Sequence, residues 1–527
     1  MFRVPTYGFA VLALAVALFV GGEDRAAATT FCVPTFGPAC ANTAGNVAED
    51  DLEKAMNTSA SDGSADTIVI AAGSLADDAG YEPSSGFKNP AVFEPNGSDP
   101  LTVLGAGRAA TTLTSEGSGN IYMLLLGSRK VTMRDLTLEI PASFPDDSGA
   151  AVQMYAGDLL ERVDVVSLNV GSDGVSAVGA GNVFRDGELR GGGLEGELSD
   201  GFDVSGATGA LLVEDAIVRD VSWPLIGATE GTLTARRVSV DSRTYGAIAT
   251  SGHVVLQNSV LTLDAGIGLY ASAGAEDASL LADHVTVVNS GGTNPALEAK
   301  KFSGSAGDAT LTATNSIFRG FVSGYKTETP IGPGIGVVSI KASYSNLSQT
   351  GSELGGSVDV ATGNIDADPQ LLADYSLPPT SPSIDAGSPF LGLNDDFLGA
   401  PRPSDGNGDG LAIRDQGAFE YQRPPTPGGG GGGGTADTTK PKVQGLKGPG
   451  KALAAGKAKF SFRANEAGSK FVCKLDRRKA AACKSPKSYS ALKPGRHTFK
   501  VWAIDPAGNK SAKPAKRKFR VPAASPS

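Results

Sequence analysis

Two carboxylates three residues apart are the first candidates for chemistry in this chain of 527 residues. Asp200 and Asp203 flank Gly-Phe, and Asp220 and His253 follow further along the chain. A pair of carboxyl groups acts as general acid and general base when one is protonated and the other is ionised. Asp-Gly is also an ordinary turn dipeptide, as at Asp173-Gly174, so a plain corner is the competing interpretation.

A second candidate site is the segment Asp-Gly-Asn-Gly-Asp-Gly at 405–410. Side-chain oxygens at its first, third and fifth positions, with Gly at the sixth, match the start of an EF-hand-type loop. Position twelve is Gln416 instead of a bidentate glutamate. One interpretation is a weak extracellular Ca²⁺ site, and the other is a turn; no other cofactor is expected. The expected ligands are Asp405, Asn407, Asp409 and Asp415.

Several other classes of site are excluded. The chain has three histidines, His253, His284 and His497, so a metal site built from several histidines is not expected. We expect His284 to be exposed to solvent. The glycine-rich stretches lack the Lys-Ser/Thr of a P-loop, so we expect no nucleotide binding.

A short repeat between Val131 and Arg319 must position these residues. Each of eight copies has a polar pair followed by an alternating apolar pattern, and the second members of the pairs are 22 to 32 residues apart. Period-two alternation indicates strands, and a period in this range indicates a solenoid. The sequence therefore predicts an all-β fold whose main part is a right-handed parallel β-helix. The pairs are Arg134-Asp135, Glu161-Arg162, Arg185-Asp186, Glu214-Asp215, Arg236-Arg237, Asn258-Ser259, Asp283-His284 and Asn315-Ser316.

The N-terminus has the pattern of a secretion signal. Arg3 precedes an apolar run at 9–20, and three alanines at 26–28 suit a cleavage site. The run is short for a membrane span. We expect a signal peptide at 1–28 and export of a protein without a membrane span.

The four cysteines form two close pairs, Cys32 with Cys40 and Cys473 with Cys483. A linker separates the pairs, which favours two local disulfides in an oxidising compartment. A single tetrahedral metal site made from all four thiolates is the alternative, and it would need closer spacing.

Residues 31–421 resemble the secreted right-handed parallel β-helix proteins of the pectin-lyase-like superfamily. The first cysteine pair, an amphipathic pattern at 46–57, "DTIVIAAGSL" and the segment "GNIDADPQLLADYSLPPTSPSIDAGSP" carry this resemblance. It implies an N-terminal cap at 29–62, a β-helix at 63–360 and a C-terminal β-helix or cap module at 361–422. Members of the superfamily include lyases, hydrolases, epimerases and adhesins, so the resemblance implies a fold more than an activity.

The segment around Asp200 and Asp203 resembles the Asn-Thr-Asp-Gly-Ile-Asp motif of polygalacturonase-type hydrolases. The rest of that family's pattern is altered: a single Asp220 stands where the family has Asp-Asp, and His253 lies in Ser-Gly-His-Val instead of Gly-His-Gly. The family's Arg-Ile-Lys is missing.

The chain beyond residue 422 differs in composition. Residues 423–439 are rich in proline and glycine, with seven consecutive glycines at 428–434, which predicts a flexible linker. Residues 440–521 resemble a bacterial immunoglobulin-like domain, on the Cys473–Cys483 hairpin and the "HTFKVWAIDPAGN" segment. The expected core residues of this domain are Phe462, Phe471, Leu475, Phe499 and Trp502.

Charge also divides at the linker. Residues 437–527 hold 23 Lys/Arg and 4 Asp/Glu, which leaves 23 basic and 52 acidic residues in the rest of the chain. This division predicts that the C-terminal domain binds an anionic polymer. A lysine-rich surface that only keeps the domain soluble is the alternative. The expected contacts are Lys513, Lys516, Arg517, Lys518 and Arg520.

We therefore expect a secreted or cell-surface β-helix protein that binds or organises extracellular polysaccharide without catalysis. The expected partners are an extracellular polysaccharide or an anionic cell-wall polymer, and the expected state is a monomer. The alternative function is a polysaccharide hydrolase or lyase that uses Asp200 and Asp203, with Asp220 or His253 as a third group.

Overall fold

The structure is a computed structural model of the chain, and it divides into two compact units, Met1–Arg423 and Pro424–Ser527. The apolar run at 9–20 and the glycine run at 428–434 lie outside the described residues. The described residues are 28–34, 40, 46–48, 52–59, 64–77, 91–93, 98–115, 122–127, 129–140, 150–155, 157–167, 174–191, 200–329, 336–360, 362–389, 392–424, 440–449, 458–465, 469–476, 478, 481–483, 485–489, 492–504 and 510–522.

The first unit is a stack of coils, each of which contributes strands to three rows that we call row 1, row 2 and row 3. Every strand in these rows pairs in parallel with the equivalent strand of the next coil. Parallel stacking lets each coil bury its inward side chains between its two neighbours, as the alternating pattern requires. The predicted all-β class is confirmed by these long parallel sheets.

Row 1 is one sheet, and rows 2 and 3 join in a second sheet because some strands continue from one row into the other. The row 1 strands are Ala91–Phe93, Tyr122–Leu126, Val152–Met154, Val175–Ala177, Asp200–Val204, Trp223–Ala228, Tyr245–Thr250, Ile267–Ala273, Pro295–Lys301, Ser323–Glu328 and Gly351–Leu354. The row 2 strands are Asp66–Ile70, Leu101–Leu104, Asn182–Arg185, Ala210–Glu214, Thr232–Arg236, His253–Gln257, Ala278–Asp283, Ala309–Thr314, Val338–Ser343 and Ser357–Asp359. The row 3 strands are Gly73–Asp77, Thr111–Ser115, Glu188–Arg190, Ile217–Val221, Ser239–Ser242, Val260–Leu263, Thr286–Asn289 and Ile317–Arg319, and the strands Val131–Ile140 and Leu159–Ser167 cross from row 2 to row 3.

The polar pairs of the sequence mark the bend between rows 2 and 3. The second member of each bend has a positive φ, which side chains other than Gly, Asn and Asp adopt at a cost. Two of the predicted pairs are wrong by one residue. Gln257 lies opposite Arg236 in the neighbouring coil, and Thr314 lies opposite Asp283, so Gln257 and Thr314 are the first members of their bends. The bend pairs there are Gln257-Asn258 and Thr314-Asn315. The residues with positive φ at the bends are Asp135, Arg162, Asp186, Asp215, Arg237, Asn258, His284, Asn315 and Tyr344.

The N-terminal end of the stack is closed by a short helix and two strands. The helix spans Leu52–Thr58, so the amphipathic pattern at 46–57 is helical only in its second half, and Asn46–Ala48 is a strand. That strand and Asp66–Ile70 both pair with Thr30–Val33. Leu52 and Met56 are buried in the main core, so the helix covers apolar residues that would otherwise be exposed at the end of the stack.

The segment from 362 to 424 runs back along the outside of the bends, and we call it the strap. Asn258 donates to the Asp395 carbonyl at 2.8 Å, and the Ala418 amide donates to Thr286 at 2.9 Å. The Asn346 amide group donates to the Ser383 hydroxyl at 3.0 Å. The strap therefore bonds to successive coils of the stack and covers their bends.

The second unit consists of two antiparallel sheets that share an apolar core. Phe460 and Phe499, one from each sheet, stack with ring centroids 4.0 Å apart. Phe462 and Leu475 are buried in this core as expected, but the expectation for Trp502 is wrong, since it alternates with buried Val501 and Ala503 and lies half-exposed. One sheet contains Val443–Lys447, Ala458–Ala464 and Lys487–Tyr489, and the other contains Ala481–Cys483, Lys470–Leu475, Gly495–Ile504 and Ala515–Val521.

Both local disulfides are formed, which confirms the predicted pairing. The Cα atoms are 5.7 Å apart in Cys32–Cys40 and 5.8 Å apart in Cys473–Cys483. Among the described residues, no helix is long and apolar enough to cross a membrane.

Candidate functional site

The outer side of row 1 carries an apolar surface that is separate from the main core. Ile226, Ile248 and Tyr270 occupy matching positions in three successive coils and form a cluster with Tyr245 and Ile267. Ile226, Ile248 and Tyr270 are buried, whereas Tyr245 and Ile267, at the first positions of their strands, are half-buried. We call this surface the row 1 face.

Three aromatic rings follow one another along the row 1 face. The ring centroids of Trp223 and Tyr245 are 6.0 Å apart at an interplanar angle of 88°, and those of Tyr245 and Tyr270 are 5.5 Å apart at 54°. Trp223 is 44% exposed although it is large and apolar. The edge-to-face contact holds the Trp223 ring in a fixed orientation against Tyr245. The ladder therefore has an exposed end at Trp223, a half-buried ring at Tyr245 and a buried end at Tyr270.

The next two coils replace the aromatic residues with charged ones. Tyr270 is followed in register by Glu298 and then by Lys326, whose ammonium group donates to Glu298 at 2.8 Å. The Lys300 ammonium group lies 5.5 Å from the centre of the Tyr270 ring. The face therefore changes from aromatic to charged over a few coils.

The electrostatics of the face follow from these contacts. The hydrogen bond with Glu298 raises the pKa of Lys326, and a hydrogen bond with Tyr270 raises the pKa of Lys300. Burial, with smaller effects of Tyr270 and Glu298, raises the pKa of Tyr245. At neutral pH both lysines are cations and Tyr245 is a neutral phenol.

The predicted carboxylates Asp200 and Asp203 lie at the other end of the row 1 face. Asp200 is the register neighbour of Trp223, and Asp203 lies between Ser176 and Ile226. Both are half-buried. The two carboxylates thus border the aromatic ladder, and their neighbours in the next coil are apolar.

Asp220 and His253, each of which was expected as a third group beside these carboxylates, lie elsewhere. Asp220 is exposed at a bulge in row 3, before the corner that leads to Trp223. His253 begins a row 2 strand, beyond the other end of row 1, and its Nδ1 is 2.7 Å from the Ser279 hydroxyl. A six-residue strand spans roughly 20 Å, which separates these two residues too widely for joint chemistry.

His253 instead lines an open acidic groove of about 510 Å³ at the corner between rows 1 and 2. The other lining residues are Ala207, Glu230, Thr232, Glu276 and Asp277.

The expected Ca²⁺ ligands are also divided. The Asp405 carboxylate accepts from the amides of Gly408 and Gly410 at 2.7 and 3.0 Å, and Asp409 accepts from Leu411 at 2.8 Å. Asn407 accepts from the Asp409 amide at 2.8 Å, so the loop closes on its own backbone. No group of three or more acidic, histidine or cysteine side chains that could hold a metal ion is found among the described residues.

Asp415, the fourth expected ligand, belongs to a buried cluster in the strap. Its carboxylate accepts from the amides of Asp385 and Tyr421 at 2.7 and 2.6 Å. Burial and the neighbouring Glu420 carboxylate raise the pKa of Asp415. Arg402 lies 3.3 Å from Glu420, and both side chains are fully buried. Asp415 therefore orders the strap through these hydrogen bonds, and its expected role as a Ca²⁺ ligand stays a prediction.

The aromatic ladder was missed in the sequence, although a signal for it exists. Trp223 and Tyr245 are 22 residues apart, the same step that separates the bend residues Asp215 and Arg237. Alignment of the chain on the bends would have placed these two rings at one position of the coil, whereas Tyr270 lies in register with Ile248.

No family model, curated protein or solved structure matches this chain.

Proposed function

We propose that the first unit binds an extracellular polysaccharide on its row 1 face and does not cleave it. In this proposal the unit is a right-handed parallel β-helix of the pectin-lyase-like type, and the second unit is immunoglobulin-like. The observation that carries the functional proposal is the aromatic ladder Trp223–Tyr245–Tyr270, which continues into the charged residues Glu298 and Lys326.

The chemistry of the face suits a sugar chain. Pyranose rings have apolar C–H faces that pack on aromatic rings, and their hydroxyl groups bond to carboxylates and ammonium groups. Neighbouring coils are about 4.8 Å apart, so an extended polymer along the stack would meet Asp200, then the exposed Trp223 ring and the half-buried Tyr245 ring, then Lys326.

The placement of the other polar residues favours binding without catalysis. Asp220 and His253 lie at opposite corners of row 1, and the next-coil neighbours of Asp200 and Asp203 are Trp223 and Ile226. A hydrolase needs two carboxylates on either side of the bond that is cleaved. The neighbours Trp223 and Ile226 carry no side-chain group that could accept a proton from water.

Export supports an extracellular ligand. The N-terminal segment has the pattern of a secretion signal, and two disulfides are formed as in proteins of oxidising compartments.

The test is the binding of the full chain to immobilised polysaccharides, neutral and acidic. Trp223→Ala combined with Tyr245→Ala should weaken binding by about tenfold or more, because each ring contributes roughly 1 kcal/mol beyond its buried area. Leu281→Ala is the matched control, since Leu281 is also 44% exposed but lies in row 2, and it should leave binding unchanged.

Equal binding by the double variant and the control would overturn the assignment of the row 1 face. If the full chain released reducing ends from a polysaccharide, and Asp200→Asn with Asp203→Asn abolished that release, the proposal of binding without catalysis would be wrong. That result would favour a hydrolase or lyase.

A further inference from the structure

The outer side of the four-stranded sheet in the second unit is lined by cations. Along Gly495–Ile504, Phe499 and Val501 are buried in the core, so Arg496, Thr498 and Lys500 point outward. Phe519 packs on the core, so its strand neighbours Lys518 and Arg520 also point outward. We call this surface the basic face, and its cations are Lys474, Arg496, Lys500, Lys516, Lys518 and Arg520.

The cations of the basic face stand opposite one another in register. Arg496 pairs with Arg520, Lys500 pairs with Lys516 on one side, and Lys500 pairs with Lys474 on the other. Like charges directly opposite across a sheet lower its stability. Cations that served only solubility could be dispersed over the surface of the domain. In this sheet they lie in adjacent positions, where they repel one another.

None of the ion pairs found among the described residues involves these six cations. Asp476, the acidic residue of this unit that the structure describes, bonds to His497 at 2.7 Å and to the Thr498 amide at 2.7 Å. The described part of the basic face therefore carries positive charge without internal compensation, and an anionic partner would relieve the repulsion.

The aromatic residue on this side distinguishes between anionic partners. Trp502 faces outward opposite Val472, and the Lys510 ammonium group lies 5.0 Å from the centre of its ring. Proteins that bind single-stranded nucleic acids use open aromatic rings on which bases stack. The ring of Trp502 is covered by a cation, which favours a polymer recognised by its charges alone.

We propose that the basic face binds an anionic polysaccharide, at a site distinct from the row 1 face. Cations two residues apart on one strand are about 7 Å apart and those on adjacent strands about 5 Å apart. The face thus offers a flat grid of charges to the carboxylate or sulfate groups of a flexible chain. The proposal does not depend on what the first unit binds.

The basic face lacks two members of the set expected from the sequence and contains three other cations. Arg517 alternates to the other side of its strand, where its side chain lies over Gly448, and Lys513 precedes the strand. Arg496 and Lys500, on the neighbouring strand, complete the grid together with Lys474.

The experiment compares two full-length variants of equal charge. The face variant carries Lys500→Gln, Lys516→Gln, Lys518→Gln and Arg520→Gln. The control variant removes three lysines and one arginine that are exposed on or beside the other sheet, with Lys442→Gln, Lys447→Gln, Lys459→Gln and Arg463→Gln. Both variants change the net charge by the same amount, so a difference between them reports position.

The probes are dextran sulfate, uncharged dextran and a single-stranded oligothymidylate, titrated over a series of salt concentrations. We expect the face variant to bind dextran sulfate at least about tenfold more weakly and with a shallower salt dependence, because fewer counterions are released. The control variant should lose less than about threefold. The thermal midpoint of the face variant should equal or exceed that of the wild type, because its repulsive pairs are gone.

Equal losses in the two variants would overturn the proposal, as would a wild type that does not bind dextran sulfate at low salt. Tighter binding of the oligothymidylate than of dextran sulfate would overturn it in favour of a nucleic-acid surface. Dextran sulfate binding that persists in the Trp223→Ala and Tyr245→Ala variant would show that this site acts apart from the row 1 face; its loss there would overturn the assignment to the second unit.

Discussion

His284 shows how one position of the repeat can change its role. The residue sits at a bend between rows 2 and 3, where the other bends carry Asp, Arg, Asn or Tyr. The strap covers it completely, so the expectation that His284 is exposed is wrong. The groups that face it are Asp283 of its own strand and the strap residues Arg402 and Arg414.

The burial of His284 makes stability depend on pH. Its Nδ1 lies 2.9 Å from Asp283 Oδ1, but neither ring nitrogen has a hydrogen bond of good geometry among the described residues. Burial, assisted by Arg402 and opposed by Asp283, lowers the pKa of His284 from 6.5 to about 4. The unfolded chain therefore binds a proton more readily than the folded one between these values.

We predict that the first unit loses about 3 kcal/mol through this residue as the pH falls from 6.5 to 4, because each pKa unit corresponds to about 1.4 kcal/mol. The stabilising contribution is present above pH 6.5 and disappears as the pH falls through the folded value. His284→Asn should reduce this loss, since Asn258 and Asn315 occupy the same backbone conformation at other bends. The measurement is the unfolding midpoint in urea at several pH values.

His253→Asn is the control for this prediction, because His253 is only half-buried. This substitution should leave the loss of unfolding free energy at acidic pH the same as in the wild type. An unchanged pH profile in His284→Asn would show that the strap does not bury this ring in solution.

At the scale of elements, the distance between coils limits which residues fit at the corners. Gly179 follows a row 1 strand, and a Cβ atom there would lie 1.2 Å from the Tyr155 carbonyl oxygen of the preceding coil. Gly127 follows another row 1 strand, and a Cβ atom there would have no neighbour within 4 Å. The two glycines look alike in sequence and differ in their surroundings.

We predict that Gly179→Ala lowers the free energy of unfolding by at least about 2 kcal/mol, because the two coils must move apart to admit the methyl group. Gly127→Ala should change it by less than about 1 kcal/mol. Chemical denaturation followed by circular dichroism measures both. Similar effects at the two positions would contradict the close approach of coils at Tyr155.

At the scale of the whole molecule, each unit has its own core and its own disulfide. The first core runs from Phe31 to Leu347, and the second is centred on Phe460 and Phe499. Cys32–Cys40 belongs to the first unit and Cys473–Cys483 to the second. Separate cores predict separate unfolding transitions.

We predict that Cys473→Ala with Cys483→Ala destabilises only the second unit, by roughly 2–3 kcal/mol, because a short closed loop is lost from its unfolded state. Differential scanning calorimetry of the full chain should show one transition shifted and the other unchanged. Cys32→Ala with Cys40→Ala should give the reverse result. A shift of both transitions by either variant would mean that the units unfold together.

The sequence by itself determined the strand type, the stacked architecture and the disulfide pairs. Alternation such as Leu136-Thr137-Leu138 is local, and a strand needs only that its inward residues be apolar. The repeat then requires stacking, since a single coil cannot bury its own apolar side. Cysteines eight and ten residues apart can close loops without reference to the rest of the fold.

Only the tertiary structure decided which distant residues meet. It separated Asp220 and His253 by the width of row 1, aligned Trp223 with Tyr245 across coils, and buried His284 and Asp415 under or within the strap. The loops between bends vary in length. The position of a side chain within its coil therefore depends on the strand register, which the period of the repeat gives only approximately. The strap contacts coils 73 to 159 residues earlier in the chain. No local pattern specifies such a contact, because it arises from packing between surfaces that form only once the coils are stacked.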